Sequence, residues 1–403
     1  MTSGVPGLRD LRVMVVDDSA AMRGAVSRAI SLSPGVVVVG EATDGDDALK
    51  RVFELQPDLI TLDLEMPRMD GFTFLRLLMA KRPTPVIIVS GFYSKENVFR
   101  ALELGAVDFI TKSPSLSKDE PSVLAAELGE KVRVVRQLSR TALEARRPAA
   151  PVPASSTAAV LTKLAAQRAG SGPAKPADST RSTSSARALS SARTTDAART
   201  PRSDGAPAPS ETLLPRRVVL LGASTGGPAA IIDIVKKLPP AGSYAVIIAQ
   251  HMPDNFTHGF AERLKRLGRV DFEEVREPRE LRRGRGYVAP GGMNVEVRDV
   301  GGRTMVCPAS PTELDAYVPS VDRLFETAAE LLGRRAVAVV LTGMGDDGSR
   351  GVKRVQQAGG LVLAESESTA VVASMPEAAV RSGACDAILP LPLLGDRIRE
   401  IIG

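Results

Sequence analysis

The chain has 403 residues, 43 % hydrophobic and 25 % charged, a length suited to two or three domains and a composition that excludes a wholly disordered or fibrous protein. Apolar stretches such as residues 218–232 are broken by Gly, Ser and Pro short of the roughly 20 residues a spanning helix needs, and the first residues lack the pattern of a secretory signal, so we expect a cytoplasmic protein with no membrane insertion. The formal charge of +5 has one source: residues 146–210 hold ten Lys/Arg against three Asp, a surplus of seven, which leaves −2 for the rest and argues against a nucleic-acid partner.

Along the first 130 residues, short β-branched runs alternate with helical periodicity. LRVMVV precedes a helix over 20–31, VVVVGEA one over 44–55, LITLDL one over 71–81, PVIIVS one over 95–104, and DFIT a long helix over 119–146. Strands that are apolar throughout, each followed by a helix, predict a parallel sheet covered on both faces. Residues 148–210 are built from Ala, Ser, Thr, Pro and Arg without an aromatic, so they cannot offset their ordering entropy by burial and read as a disordered linker.

Beyond the linker the alternation returns. RRVVLLGAS, YAVIIAQHM, AVAVVLTGMG, GLVLAES and AILPL read as strands, with helices over 228–238, 256–267, 349–358 and 375–382. NVEVRDV and RTMVCPA flank Gly301-Gly302 and predict a β-hairpin. The two cysteines, Cys307 and Cys385, read as reduced thiols in apolar surroundings.

Functional groups in such sheets gather at the carboxyl ends of the strands. In the first part these ends carry Asp17 and Asp18, Asp63, Ser90 and Lys112. Three converging carboxylates repel one another unless a divalent cation holds them, and hard oxygen ligands suit Mg²⁺. With a hydroxyl and a lysine beside them, they describe a site that takes a phosphoryl group onto a carboxylate.

VVDDS, LDLEMPRMDG, SG and DFITK, in that order, resemble the receiver domain of two-component response regulators. The resemblance implies a flavodoxin-like domain over about 10–130 in which Asp63 is phosphorylated and Asp17, Asp18, Asp63 and the Glu65 backbone carbonyl hold Mg²⁺. It also implies that Ser90 and Lys112 sense the phosphoryl group, that Phe109 changes rotamer on activation, and that a histidine kinase is the phosphodonor. One departure is Ser113, which stands between Lys112 and Pro114 where receivers usually place Pro directly.

In the second part, GASTGGP sets Ser224 and Thr225 in a glycine-permitted turn before a helix, near backbone N–H groups and the positive end of the helix dipole. The turn lacks the lysine and the spacing of nucleotide-binding loops. A serine nucleophile needs a base, and only two histidines exist: His251 ends the next strand, whereas His258 lies on the following polar turn or helix. The imidazole needs a carboxylate, which Asp346 or Asp347 could supply; spacing does not choose between them.

G-A-S-T-G-G, Q-H-M, Y-V-A-P-G-G, P-S-V-D and L-T-G-M-G-D-D-G resemble the catalytic domain of bacterial chemotaxis protein-glutamate methylesterases, which also deamidate glutamines. The resemblance implies a Rossmann-like domain over 213–403, with Ser224 as nucleophile, His251 as base, Asp347 as third member, and Thr225 and Met344 at the oxyanion site. No cofactor is implied for that site. The fold class is then α/β, two doubly wound parallel-sheet domains, the second with a β-hairpin, joined by a helix extension and linker over 131–212. The implied substrate is the cytoplasmic region of methyl-accepting chemoreceptors. The unphosphorylated receiver is expected to pack over the Ser224 crevice. The rival is a response regulator with a non-enzymatic binding output domain.

Overall fold

The computed structural model describes residues 9–91, 95–112, 121–135, 214–240 and 242–403. Most of the expected linker, from residue 136 onwards, lies outside them, as do Ser113 and Pro114. Among the described residues no helix is long and apolar enough to cross a membrane.

The N-terminal part runs β1 (Leu11–Val16), α1 (Ala20–Ser31), β2 (Val36–Ala42), α2 (Gly45–Leu55), β3 (Leu59–Leu62), α3 (Gly71–Lys81), β4 (Val86–Gly91), α4 (Lys95–Glu103), β5 (Asp108–Lys112) and α5 (Pro121–Val135). The five strands form one parallel sheet in the order β2-β1-β3-β4-β5. Strand periodicity explains the unbroken apolar runs. Val13 and Val15 of β1 join a core with Ile30 of α1 and Leu128 of α5, while Met14 and Val16 join another with Phe74 and Leu78 of α3. Helix starts follow from capping oxygens: Asp44 accepts from the N–H groups of Asp46 and Asp47, and Asp70 from that of Thr73.

The C-terminal part runs β6 (Arg217–Ala223), α6 (Gly227–Lys237), β7 (Tyr244–Gln250), α7 (Asp254–Arg266), β8 (Asp271–Glu274), β9 (Arg279–Glu280), β10 (Arg285–Val288), β11 (Asn294–Val300), β12 (Arg303–Ala309), α8 (Val321–Leu332), β13 (Ala336–Val340), α9 (Gly351–Gln357), β14 (Leu361–Glu365), α10 (Ser374–Arg381), β15 (Ala387–Leu389) and α11 (Leu391–Ile402). A seven-stranded parallel sheet has the order β15-β14-β13-β6-β7-β10-β8. From β6 the chain passes to β7 on one side and later to β13, β14 and β15 on the other, so β6 marks the switch point where ligand crevices form. Ile231 of α6, Phe256 of α7 and Leu394 of α11 share a core with Val219 and Val246, while Phe325 of α8, Val352 of α9 and Ala379 of α10 share one with Val218 and Ala245.

The hairpin forms at Gly301-Gly302, which takes positive φ at both residues (62° and 78°), as a turn matched to strand twist requires. It does not stand alone. β9 pairs with β12 to complete a separate three-stranded sheet. The short strands β8 to β10 and the helices α8 and α11 have no counterpart among the expected elements. DFEE and RE are too short and too charged for a period to emerge from sequence.

Candidate functional site

Two sites form at carboxyl strand ends. In the first, the ladders continue past the strands, Asp17 N–H donating to Ala42 O at 3.1 Å and Asp63 N–H to Val16 O at 2.9 Å, which fixes both carboxylates at one edge. Carboxylate oxygens of Asp17, Asp18 and Asp63 lie within 4.8 Å of one another. Lys112 Nζ reaches across to Asp17 Oδ2 at 2.7 Å and Asp63 Oδ2 at 2.5 Å. Burial raises the Asp17 carboxyl above its ordinary value despite the lysine; burial would lower the Lys112 ammonium, but its hydrogen bonds to Asp17 and Asp63 outweigh that and raise it. Three hard oxygen donors, two of them buried, fit a small divalent cation. Glu65 follows in the loop, its N–H donating to Asp63 Oδ1 at 3.4 Å. Ser90 lies near the end of β4, paired along the backbone with Thr111 of β5.

In the second site, three adjacent strands each deliver one residue. Ser224 follows β6, His251 follows β7, and Asp347 follows β13 by way of a Gly-rich loop. The turn at Ser224 is close-packed. Gly226 has φ of 77°, and a Cβ on Gly343 would come within 2.8 Å of the Ser224 Cβ, so only glycine lets the β13 loop lie against the serine. Gln250, buried at the end of β7, ties the first two loops together, its Nε2 donating to Ser224 O at 2.8 Å and to His251 O at 3.0 Å.

The two aspartates are placed differently. Asp347 Oδ2 lies 2.9 Å from His251 Nε2 and is buried, whereas Asp346 is exposed and its carboxylate accepts from Tyr317 Oη, at 3.5 Å. Asp347 also accepts from the N–H groups of Val321 at 2.7 Å and Asp322 at 2.9 Å and from Ser320 Oγ at 3.3 Å. Its carboxylate thus sits on the positive end of α8, a helix absent from the expectations. Because a carboxylate only accepts, Nε2 is the donor of this bond. Among the described residues no hydrogen bond joins Ser224 to His251. His258 stands apart on α7, largely exposed, 3.8 Å from Glu274.

Around Ser224 the donors divide. Its own N–H donates to Thr342 O at 3.1 Å, and those of Gly343 and Gly345 donate to Val372 O and Ser374 Oγ. The N–H groups of Thr225 and Met344 donate to no described residue.

The receiver face covers these same positions. Thr225 Oγ1 donates to Asp108 Oδ2 at 3.0 Å, and Val107 packs with Val371, Val372 and Met344. Phe109 of β5 is buried against Phe256 of α7, ring centroids 4.4 Å apart. Glu103 of α4 binds Arg263 at 2.6 Å, and Glu96 binds Arg266 at 3.2 Å. Sequence reasoning singled out Phe109, Thr225 and Met344 but not Asp108 or Gln250; both lie within quoted motifs, DFITK and Q-H-M, and that was the available signal.

Fold and sites together define a response regulator whose output is a hydrolytic α/β domain. Residues 13–118 match the response regulator receiver domain family and residues 219–398 the CheB methylesterase family. Protein-glutamate methylesterase/protein-glutamine glutaminase 3 of Geobacter sulfurreducens is 43 % identical over 98 % of this chain and 97 % of its own, and number 6 of Anaeromyxobacter dehalogenans is 41 % identical over 97 % and 96 %. The crystal structure of the Thermotoga maritima CheB methylesterase catalytic domain is 32 % identical over 46 % of this chain and 98 % of its own, with a TM-score of 0.45. The chain belongs to the protein-glutamate methylesterase/protein-glutamine glutaminase family.

Proposed function

We propose that the chain removes methyl groups from glutamate methyl esters on the cytoplasmic region of chemoreceptors, and deamidates receptor glutamines, under control of its receiver. The observation that carries the reading is the paired His251 and Asp347 on the two strand ends that flank Ser224.

Ser224 Oγ attacks the side-chain ester carbonyl as its proton passes to His251 Nδ1. The imidazolium stays paired with Asp347, whose place on the end of α8 keeps the ring oriented. The N–H groups of Met344 and Thr225 face the oxyanion. His251 then gives its proton to the leaving methanol, or to ammonia when the substrate is a glutamine, and water releases the acyl group as glutamate.

In the receiver, Asp63 takes the phosphoryl group from a histidine kinase, with Lys112 and Ser90 as its partners. Asp17, Asp18, Asp63 and the Glu65 carbonyl would hold Mg²⁺, which supplies charge neutralisation at the phosphoryl oxygens. Phe109 and Asp108 share β5 with Lys112. Rearrangement there separates Asp108 from Thr225 and uncovers the hydrolase crevice. Such a protein acts in the cytoplasm.

The test is mass spectrometry of receptor membranes after incubation with the phosphorylated protein. Methylated glutamates lose one methyl group each, and Ser224→Ala leaves them intact. Demethylation by Ser224→Ala would contradict the assignment.

A further inference from the structure

His251 has a second partner, which no strand end supplies. Tyr317 lies in the loop between β12 and α8, and its ring stacks on the imidazole with centroids 5.1 Å apart and planes inclined by only 6°. Its hydroxyl points elsewhere, to Asp346 Oδ1 at 3.5 Å. Glycine at 345, φ 96°, makes room for it, because a Cβ there would come within 2.3 Å of that hydroxyl. The loop itself is pinned: Asp315 accepts from Thr312 N at 2.7 Å, from Asn294 Nδ2 at 3.0 Å and from Arg323 at 2.9 Å. The tyrosine is therefore presented on a braced loop rather than laid down by chance contact.

Two consequences follow from a flat aromatic contact on a base. The hydrogen bond to Asp347 holds one ring nitrogen but leaves the imidazole free to rock about that bond, and a parallel ring against its face removes that freedom. When the serine proton arrives, the imidazolium lies over the electron-rich face of a phenol ring, an arrangement that stabilises a cation by about 0.5–2 kcal/mol.

We propose that Tyr317 is a positioning residue for the general base, setting the plane of His251 and favouring its protonated form as Ser224 attacks. The inference rests on the reading of His251 as the base. It assigns the effect to the face of the ring, not to the hydroxyl.

The experiment uses the full chain with Mg²⁺ and a small phosphodonor, and two readouts: receptor demethylation, and labelling of Ser224 by a small fluorophosphonate. In the labelling, the Oγ–P bond forms as the P–F bond breaks, fluoride leaves and the hydroxyl proton passes to His251, so receptor recognition plays no part. Tyr317→Leu, which keeps bulk but loses the π face, should lower kcat and the labelling rate about tenfold, a change worth ~1.4 kcal/mol, with KM moved less than about twofold. Tyr317→Phe should restore both rates to within about twofold of the native protein. Wild-type labelling by Tyr317→Leu, or a change confined to KM, would overturn the proposal. Equal impairment of the Phe and Leu variants would also overturn it, since the hydroxyl would then be the active part. His251→Ala is the separate control: undiminished labelling there would remove the base assignment itself.

Discussion

Asp108 of β5 and Thr225, the residue after Ser224, share a hydrogen bond of 3.0 Å, so the Thr225 hydroxyl is occupied by a carboxylate of the receiver. Asp108 is held for this contact by Lys131 of α5, whose Nζ lies 2.9 Å from the same oxygen. One strand, β5, therefore carries Lys112 of the acidic site at one end and Asp108, the partner of Thr225, at the other.

Replacing Asp108 with Ala should loosen the covered state. One hydrogen bond contributes about 0.5–1.5 kcal/mol, so the unphosphorylated Asp108→Ala protein should demethylate receptors about 2- to 10-fold faster than the unphosphorylated native chain. The apolar contacts of Val107 and Phe109 remain, so the rate should stay below that of the phosphorylated protein. An unchanged basal rate would show that the hydrogen bond does not contribute to the cover.

Phosphorylation depends on the acidic cluster. Asp63→Asn should hold the full chain at its basal esterase rate whether or not a phosphodonor is added, and removing Mg²⁺ with a chelator should do the same to the native chain. Stimulation of Asp63→Asn by the phosphodonor would move the acceptor to another residue.

The two neighbouring aspartates should separate by orders of magnitude. Loss of a triad carboxylate costs ~10⁴ in kcat in the serine protease precedent, so Asp347→Asn should show a fall of that order, while Asp346→Asn, on the surface, should stay within about twofold. Steady-state methanol release measures both, and the reverse order would reassign the third member.

Gln250 offers a test of the loop brace. Gln250→Leu leaves the His251 carbonyl without its donor and the Ser224 carbonyl with only the Gly227 N–H, which costs about 1–3 kcal/mol of stability and loosens both loops. We expect a lowered melting temperature together with a lowered kcat. A variant that melts and turns over like the native protein would show that the loops hold without it.

The five-stranded sheet and much of the seven-stranded one were legible because strands buried on two faces are apolar throughout, whereas the twelve-residue helices α8 and α11 were missed. The ends of β1, β3, β6 and β7 therefore located Asp17, Asp63, Ser224 and His251 without structure. The choice of Asp347 over Asp346 was not legible from spacing, since it depends on Val321 and Asp322 N–H groups that come from a distant helix. Tyr317 was invisible for the same reason: its stacking on His251 is set by a loop whose anchors, Asn294 and Arg323, lie on other elements. The strands β8 to β10 were missed because a few charged residues carry no readable period.

The most direct measurement is methanol release from methylated receptor membranes by the full chain, with and without a small phosphodonor, for the native protein and Ser224→Ala. The account predicts a low rate that rises on phosphorylation in the native protein and no release from Ser224→Ala in either condition, although Asp63 of that variant still takes the phosphoryl group. Methanol release by Ser224→Ala, or a native rate indifferent to phosphorylation, would contradict it.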